Sequence, residues 1–536
     1  MLIFYYITIL TSIIGYGIFI NEKIIKYKTN NLGSIGFIGI FSLLLISYST
    51  SQFIPHNINF NFIILIVGVS AFVHFYIKKK IKIYDLKVPV FLFFLSIIFI
   101  LVHKNHDDFH YYHFPYTYIL TQYPHPIGIG ILNIGFNTHS SIFYLASLLH
   151  LPGANYTLFH LPAAFILFFA NIFLLTTIYK NNFSKKNLFI LFFSTSCFIF
   201  INIFFYRLAE HGTDRSAMIL ILILIIQILI ILNRKFEKDD YNQLKFLFIL
   251  LVLIISLKAL YILYLVFFLP VILKIYKKDN FFKALINYSF FLSSLLFIFV
   301  IFTNFLNSGC FLFPEAKTCF QNVSWGFSIE KVNEYKIHYE NWAKAGAGAG
   351  YSNVDKINYI KNFNWVPNWT DKYFFNKVSD LIISLIFLAL VLFFSFKRKK
   401  KYINKKIKYK MILYIVLLLL IIWFFYYPAL RYGGYHLFFI SIFLPLSIFI
   451  QRYLENKEKL QKKISTLIVI TLIIFFARNI DRLIDENKKY SYNPFKDSSY
   501  RLLDKSYRYK NFVKEHIKNK TSKINEVYKG RYLIIN

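Results

Sequence analysis

The sequence predicts an all-α membrane protein that crosses the bilayer about fourteen times, because apolar runs of about 20 residues recur along it. Of the 536 residues, 57% are hydrophobic and the mean hydropathy is +0.51, whereas about 45–50% of a soluble domain is apolar. Lys and Arg cluster between the apolar runs, as at 78–80, 277–278 and 397–401. Such clustering is typical of the cytoplasmic loops of a polytopic protein.

The first apolar run, 2–20, lacks a preceding basic region and a small-residue cleavage site. We therefore interpret it as the first span and not as a cleavable signal peptide. Windows of apolar residues then place the predicted spans at 2–20, 33–54, 59–77, 88–103, 158–179, 187–206, 216–233, 245–257, 259–275, 284–303, 379–396, 410–427, 435–451 and 464–479.

The basic loops determine the predicted orientation. They fall on one side of the membrane only if 245–275 forms two short spans with Lys258 at the turn between them. If 245–275 formed one long helix, the predicted membrane orientation of every later segment would be reversed. With two spans, the outer side, which is periplasmic in a bacterium, receives the N-terminus and residues 104–157, 207–215, 304–378, 428–434 and the tail from 478.

The formal net charge of +35 raises the alternative of a nucleic-acid partner, since basic patches attract phosphate backbones. Because the cations lie in loops between spans, we expect no nucleic-acid partner and expect membrane lipids instead. The predicted location is the inner (plasma) membrane of a bacterium, with a multi-pass chain.

The outer segment 104–157 is too polar to span the membrane. It contains two predicted amphipathic surface helices, at 109–121 and 140–151, and the second has its apolar residues at helical spacing. Pro124, Pro126, Gly128 and Gly130 predict an irregular loop between them.

The primary candidate site is the start of this segment, where Asp107 and Asp108 precede His110 and His113. A partly desolvated carboxylate can act as a general base towards a hydroxyl, because burial raises its pKa. The same groups could bind a divalent cation. In the alternative structural interpretation, they form a polar belt among lipid headgroups.

Cations at the predicted outer helix ends are candidate phosphate ligands. Lys258 interrupts the apolar stretch LIISLKALYIL, and Arg431 lies in PALRYGG. The short loop RLAEHGTDR adds further candidates, namely Arg207, His211, Asp214 and Arg215. Arg forks and Lys point charges suit a lipid-linked phosphate, although snorkelling or ion pairs with Asp107, Asp108 or Asp214 would explain the same residues.

Two features of the outer segment 304–378 complete the candidates. Cys310 and Cys319 flank a short polar stretch and could form a disulfide in an oxidising compartment. Its tryptophans suit sugar binding, but we favour packing of the segment onto the membrane surface. They are Trp325, Trp342, Trp365 and Trp369.

A polytopic chain whose first large outer segment opens with acidic residues, followed by two surface helices, resembles the GT-C superfamily of membrane glycosyltransferases. The order of its motifs is more closely similar to a largely uncharacterised group of bacterial polytopic proteins linked to surface-polysaccharide synthesis. The resemblance covers about residues 88–435. It rests on 108–113, Tyr123-Pro124, 128–137, 308–325, Trp342-Ala343-Lys344, 364–369 and 428–433. It departs from the group at Lys344, where a Trp-Ala-Arg pattern would have Arg, and this makes a role for Lys344 doubtful.

The resemblance implies transfer of a sugar from a polyprenyl-phosphate donor to a glycan or lipid acceptor on the outer face. Asp108 would be the general base, and Asp107 its neighbour or a metal ligand, with His113 as a third catalytic residue. We expect substrate contacts from His110, Tyr112, Asn137, His211, Asp214, Arg215, Lys258, Arg431 and Tyr432. The predicted divisions are an N-terminal extension (1–87), a GT-C-like core (88–303), a periplasmic loop (304–378), C-terminal spans (379–480) and a hydrophilic tail (481–536).

Two other functions remain open at this stage. A polysaccharide polymerase or ligase would share the lipid-phosphate donor and the outer arginine, but would not need Asp108. A lipid-linked sugar flippase would be expected to have paired repeats and broken helices around charged midplane residues, and beyond the Lys258 region the sequence has neither. No Walker, Rossmann or nucleophile-elbow motif occurs in a supporting context.

Overall fold

The protein is a bundle of long apolar helices in a computed structural model, consistent with a multi-pass membrane protein. The structure describes residues 1–78, 86–102, 106, 108–154, 156–180, 187–233, 238–276, 282, 285–346, 356–396, 409–449, 456–491 and 493. Within these described residues, eight helices are long and apolar enough to cross a membrane. They are Leu2–Ile25, Leu32–Ser51, Ile58–Ile77, Leu161–Lys180, Thr213–Asn233, Ala259–Tyr276, Tyr288–Ser308 and Val366–Ser395.

The other predicted spans also lie in helices. Five are shorter apolar helices: Lys87–Ile100, Leu188–Phe204, Tyr241–Leu257, Lys410–Tyr426 and His436–Ile448. The last predicted span, 464–479, lies within the long helix Lys457–Tyr490. The structure therefore confirms the polytopic all-α class, while helix length alone supports eight full-length spans of the fourteen predicted.

The first helix packs tightly on the second and the third. Helix Leu2–Ile20 contacts both Leu32–Ser51 and Ile58–Ile77. Helix Leu32–Ser51 also packs against helix Leu161–Lys180. A Cβ on Gly15 would overlap the backbone at Gly68, so the missing side chain permits the close approach that membrane helices use in place of hydrophobic driving force.

The chain reverses at Lys258, as the orientation argument requires. Helix Lys238–Leu257 ends there, Lys258 is extended, and a 3₁₀ helix, Ala259–Phe268, leads into helix Leu269–Tyr276. The rings of Phe248 and Phe268, equally far from Lys258 along the sequence, lie 5.3 Å apart. The two segments therefore run antiparallel, which confirms the prediction of two short segments over one long helix.

Segments predicted to share the inner side of the membrane contact one another at one end of the bundle. Lys180 donates to the Asn30 carbonyl at 2.8 Å, and the Lys28 N–H donates to Asn242 Oδ1 at 2.8 Å. Lys245 Nζ donates to the Lys26 carbonyl at 3.0 Å. Segments predicted to be outer meet at the opposite end, so the contacts agree with the predicted alternation.

The outer segment 108–154 corrects one expectation. Both predicted helices are present, as the π-helix Phe109–His113 running into Phe114–Gln122 and as the shorter Ser141–Ser147. They are not surface helices, because 114–121 and 141–147 are buried throughout. Their apolar faces pack inside the protein, which amphipathic spacing alone does not distinguish from packing against lipid headgroups.

Outside the bundle, the segment after helix Tyr288–Ser308 is closed by a Cys310–Cys319 disulfide, as the sequence suggested. It continues into helix Ile329–Lys344, the short helices Lys356–Ile360 and Val366–Trp369, and the π-helix Thr370–Val378 before helix Ser379–Ser395. Trp365 and Trp369 are buried in a cluster that includes Trp423 of helix Lys410–Tyr426. These two tryptophans therefore pack against other residues of the protein, and not onto the membrane surface as the sequence predicted.

The long C-terminal helix Lys457–Tyr490 reaches the outer end of the bundle. Its Arg482, 6% exposed, donates from Nη2 to the carbonyls of Ile98 and Leu101, both at 3.1 Å. These carbonyls belong to the end of helix Lys87–Ile100, where the chain leads towards Asp108.

Candidate functional site

Four charged side chains from distant parts of the sequence meet at the predicted outer end of the bundle. Lys258 Nζ lies 2.7 Å from Asp214 Oδ1, and Arg431 Nε lies 3.8 Å from Asp214 Oδ2. Arg431 Nη1 lies 3.8 Å from Asp108 Oδ2. The sequence predicted all four as site residues, and the structure brings them together.

Each of these residues lies at a helix boundary, which explains why a charged group is tolerated there. Asp214 is in the first turn of helix Thr213–Asn233, where the positive end of the helix dipole favours a carboxylate. Lys258 occupies the reversal between two helical segments, and Arg431 lies in the first turn of helix Leu430–Phe438. Asp108 immediately precedes the π-helix Phe109–His113.

The backbone before Arg431 is held by two indole N–H groups. Trp369 Nε1 donates to the Pro428 carbonyl at 2.9 Å, and Trp423 Nε1 donates to the Ala429 carbonyl at 2.8 Å. A Cβ at Gly433 would overlap the ring of Trp423, so glycine is needed at this point in PALRYGG. These contacts fix where the Arg431 side chain begins.

Two aromatic rings support the cations directly. The Arg431 guanidinium carbon lies 4.8 Å from the centroid of the Trp342 ring, and Lys258 Nζ lies 4.5 Å from that of Tyr432. Cation–π contacts of this kind contribute about 0.5–2 kcal/mol, more when they are desolvated. They hold the two cations in place beside Asp108 and Asp214.

A cavity of about 320 Å³ opens beside these groups. One part of its wall is charged or polar, and the other is apolar and comes from helices Leu188–Phe204, Thr213–Asn233 and Ser379–Ser395. The lining residues are His106, Asp108, His113, Phe200, Phe204, Phe205, Thr213, Asp214, Arg215, Met218, Tyr373, Lys377, Leu381, Leu430 and Arg431.

Cations outnumber carboxylates around this cavity in the part of the chain that the structure describes. Its lining contains two carboxylates, Asp108 and Asp214, against three cations, Arg215, Lys377 and Arg431. Lys258 adds a fourth positive charge behind Asp214. The cavity therefore has the electrostatic character of a site for an anion with more than one negative charge.

The two carboxylates differ in their surroundings. Asp214 is 16% exposed and contacts two cations, whereas Asp108 is 32% exposed and contacts Arg431 only at 3.8 Å. His106 Nδ1 accepts the Asp108 backbone N–H at 3.1 Å and lies 3.3 Å from its Oδ2. Asp214 is suited to organising the cations, and Asp108 to contacting a bound molecule.

Two neighbours of Asp108 are held neutral. Burial, with the positive charges of Lys258 and Arg431 adding to it, lowers the pKa of His113 to about 3. Burial raises the pKa of the Tyr112 phenol, and the carboxylates of Asp108 and Asp214 raise it further. Near neutral pH, His113 is therefore uncharged and Tyr112 keeps its proton.

A family model described as a domain of unknown function (DUF8201) matches residues 1–439, which is most of the sequence. The chain belongs to the DUF8201 family. No curated protein and no solved structure matches this DUF8201 chain. The matched region includes the whole lining of the cavity, together with the three N-terminal helices that the sequence suggested as an extension.

Some predicted site residues of this DUF8201 protein cannot be placed. Asp107 lies outside the described residues, as do the side chains of His110 and His211. Among the described groups of His, Cys, Asp and Glu, none of three or more is arranged to hold a metal ion.

Three of the predicted substrate-binding residues have different positions from those expected. Asn137 does not line the cavity; it is buried and donates from Nδ2 to the Gly130 carbonyl at 3.1 Å, which shapes the irregular loop. Tyr112 and Tyr432 lie beside the charged groups but are not in the lining. Arg215 does line it, with its guanidinium 5.8 Å from the Phe205 ring centroid.

Sequence reasoning missed several contributors to the DUF8201 cavity. His106, Thr213, Tyr373 and Lys377 line it, and Trp342 supports Arg431. Lys377 carried a usable signal, because it is a cation at the predicted outer end of a span, where the positive-inside bias does not explain it. The others are ordinary residues whose neighbours only the fold determines.

Lys344, whose role the sequence left doubtful, has a structural one. It is buried, lies 2.6 Å from Glu340 Oε1, and places Nζ 5.3 Å from the Trp365 ring centroid. It fastens the end of helix Ile329–Lys344, which contains Trp342, onto the tryptophan cluster.

Proposed function

We propose that this protein is a membrane glycosyltransferase of the GT-C type, which transfers a sugar from a polyprenyl-phosphate donor to a hydroxyl of a glycan or lipid acceptor at the periplasmic face. The observation that carries the proposal is the position of Asp108. Its carboxylate lines a cavity whose charged side contains Arg431 at 3.8 Å and whose other side is an apolar wall of membrane helices.

Asp108 acts as the general base in this mechanism. As the acceptor oxygen bonds to the anomeric carbon of the sugar, the proton of the hydroxyl passes to the Asp108 carboxylate. The bond between the anomeric carbon and the phosphate oxygen breaks, and its electron pair leaves with the phosphate. Asp214 is less suited to this role because Lys258 and Arg431 both contact it.

Arg431, Arg215 and Lys377 stabilise the departing phosphate. A charge that develops on the leaving group is stabilised best by fixed positive groups in a site with little water. Trp342 stacking and the Asp214 contact hold Arg431 in place before the substrate arrives. The conformational entropy of the long Arg431 side chain is therefore lost when the protein folds, and no further entropy is lost in reaching the transition state.

The apolar wall suits the lipid part of the donor. Phe200, Phe204, Met218 and Leu381 come from three different membrane helices and share one side of the cavity. A prenyl chain in this position would bury apolar surface while its phosphate stays among the cations. The combination of the two surfaces favours a lipid phosphate over a soluble nucleotide sugar.

The test replaces Asp108 with Asn, which keeps the shape of the side chain and removes the base. In membranes from a strain that lacks the native gene, we expect Asp108→Asn to lower the initial rate of sugar incorporation by about 10²–10⁴-fold. Binding of decaprenyl phosphate to the purified variant, followed by tryptophan fluorescence, should stay within about twofold of the wild-type value, since the cations remain.

Asp371→Asn is the matched control, because Asp371 is an exposed carboxylate on the outer segment that does not line the cavity. It should behave as the wild-type protein. If Asp108→Asn keeps its rate while Arg431→Gln loses it, the base is not needed, and the polymerase or ligase alternative replaces the glycosyltransferase. If both keep it, the cavity is not the site of transfer.

A further inference from the structure

A second cavity, of about 330 Å³, lies at the opposite end of the bundle from Asp108. It is formed by the chain between the first two helices together with helices Leu161–Lys180, Thr213–Asn233 and Lys238–Leu257. Its volume is at the lower end of the range for small-molecule sites, about 300–1,000 Å³. The proposed transfer reaction uses none of these residues.

The charged residues in its lining are cations. Lys28 and Lys180 both line the cavity, and the described lining contains no carboxylate. Lys26 and Lys245 lie close by, since Lys245 Nζ donates to the Lys26 carbonyl at 3.0 Å. Helix Leu32–Ser51 also begins here with Asn31 as its N-cap, and its positive dipole end adds to the field.

The polar wall of this cavity is unusual for membrane helices. Gln227 interrupts the apolar helix Thr213–Asn233, is 1% exposed, and donates from Nε2 to Gln243 Oε1 at 2.8 Å. Tyr27 donates to the same Gln243 oxygen at 3.2 Å. A buried amide inside a membrane helix is costly unless it is paired or used. These three residues form a preorganised polar lining.

Ser34 provides an observation independent of the lysines. It lines the cavity, is 1% exposed, and its hydroxyl has no hydrogen-bond partner among the described residues. Most buried hydroxyls in proteins are paired, so an unpaired one calls for an explanation. A bound acceptor group would supply the missing partner after rotation about the Cα–Cβ bond.

We propose that this cavity is a binding site for a phosphate group on the face opposite the transfer site. Lys28 and Lys180 neutralise the phosphate, and the hydroxyl of Ser34 donates a hydrogen bond to it. The polar lining formed by the two glutamines and Tyr27 contacts the polar group that is attached to the phosphate. The same chemistry could come from the headgroup of an anionic lipid of the inner leaflet or from a soluble phosphate ester.

The experiment uses the full-length protein in a neutral detergent and in nanodiscs. Inorganic phosphate and glycerol 3-phosphate are titrated by calorimetry for the soluble source. Retention of phosphatidylglycerol from phosphatidylcholine nanodiscs that contain it is counted by native mass spectrometry for the lipid source. Binding in either arm supports the site and identifies its source, and absence of binding in both overturns it.

Variants then place the binding. We expect Lys28→Gln to weaken it at least tenfold, since the backbone N–H bond of Lys28 to Asn242 would keep the loop in place. Lys78→Ala, on the same predicted face but outside the lining, is the matched control. Arg431→Gln tests the other cavity. If Lys28→Gln retains wild-type affinity, or if Arg431→Gln abolishes the binding, the ligand belongs elsewhere and the proposal fails.

Discussion

The ammonium of Lys258 donates a 2.7 Å hydrogen bond to the carboxylate of Asp214, across 44 residues of sequence. Both side chains are largely buried, with 20% and 16% exposed. The pair ties the reversal between two membrane segments to the first turn of a third helix. Because Arg431 contacts the other oxygen of Asp214, this single carboxylate organises both cations beside the cavity.

Removal of one partner of this pair should destabilise the protein strongly. Lys258→Met leaves Asp214 with only the longer contact to Arg431, and we expect a loss of about 3 kcal/mol in the free energy of unfolding, as for other buried pairs broken on one side. The measurement is unfolding in mixed detergent micelles.

The control for this prediction is Lys336→Met. Lys336 pairs with Glu315 at 2.9 Å, but the two side chains are 42% and 45% exposed, so the expected loss is below about 1 kcal/mol. Equal losses in the two variants would contradict the organising role of Asp214.

Arg431 should not be replaceable by lysine. Arg431→Lys keeps the charge but loses the planar group that stacks on Trp342. Since such a contact is worth about 2 kcal/mol or more when desolvated, the initial rate of transfer should fall at least about tenfold.

Arg478→Lys is the matched comparison for this change. The Arg478 guanidinium also stacks on an aromatic ring, with 3.8 Å between its central carbon and the Tyr206 centroid, but it is not in the cavity lining. The initial rate of transfer by the Arg478→Lys variant should equal that of the wild-type protein. A similar loss in both variants would mean that stacking matters for the fold and not for the site.

Acid should destabilise the outer segment through its buried histidines. Burial lowers the pKa of His113 and His139 to about 3 and that of His125 to about 4, below the unfolded value of about 6.5. Between these values the unfolded chain binds more protons, so stability is complete above pH 6.5 and is lost as the pH falls.

At pH 5 the loss should reach about 2 kcal/mol for each such histidine. Thermal unfolding of the purified protein at pH 7 and pH 5 measures it, and His139→Gln should reduce the difference between the two. An unchanged transition temperature between these pH values would show that the histidines are accessible to protons in the folded protein.

The disulfide gives a test of sidedness. The chain contains three cysteines, of which Cys310 and Cys319 are bonded and Cys197 is a buried free thiol. Protein taken from cells, denatured without reductant and treated with a maleimide, should therefore gain one label, and three after reduction. Three labels before reduction would place segment 304–378 in a reducing compartment, against the predicted orientation.

The charged site could be predicted from the sequence because charged residues are conspicuous in an otherwise apolar membrane protein. Asp108, Asp214, Lys258 and Arg431 each interrupt or end an apolar run, and such residues are costly unless they are solvated or paired. Positive-inside reasoning placed all four on one face, and they do meet at one end of the bundle. The sequence does not predict which of these residues pair with one another, because ion pairs and substrate contacts explain them equally well.

Other features depended on tertiary packing, which local patterns do not encode. The amphipathic spacing at 140–151 is the same for a helix on lipid as for one inside the protein, and helix Ser141–Ser147 is inside. Asn137 belongs to the same predicted outer segment as Asp108, yet its side-chain amide donates to the carbonyl of Gly130. The support of Arg431 by Trp342 joins residues far apart in the chain, so no sequence window contains it.

The contact of Arg482 with the carbonyls of Ile98 and Leu101 matters for anyone who shortens this chain for crystallography or expression. The match to the family model ends at residue 439, which makes that position an obvious choice for a truncation. A truncation there would retain every wall of both cavities but would remove the cation that secures the end of helix Lys87–Ile100. Boundaries drawn after Tyr490 keep that anchor.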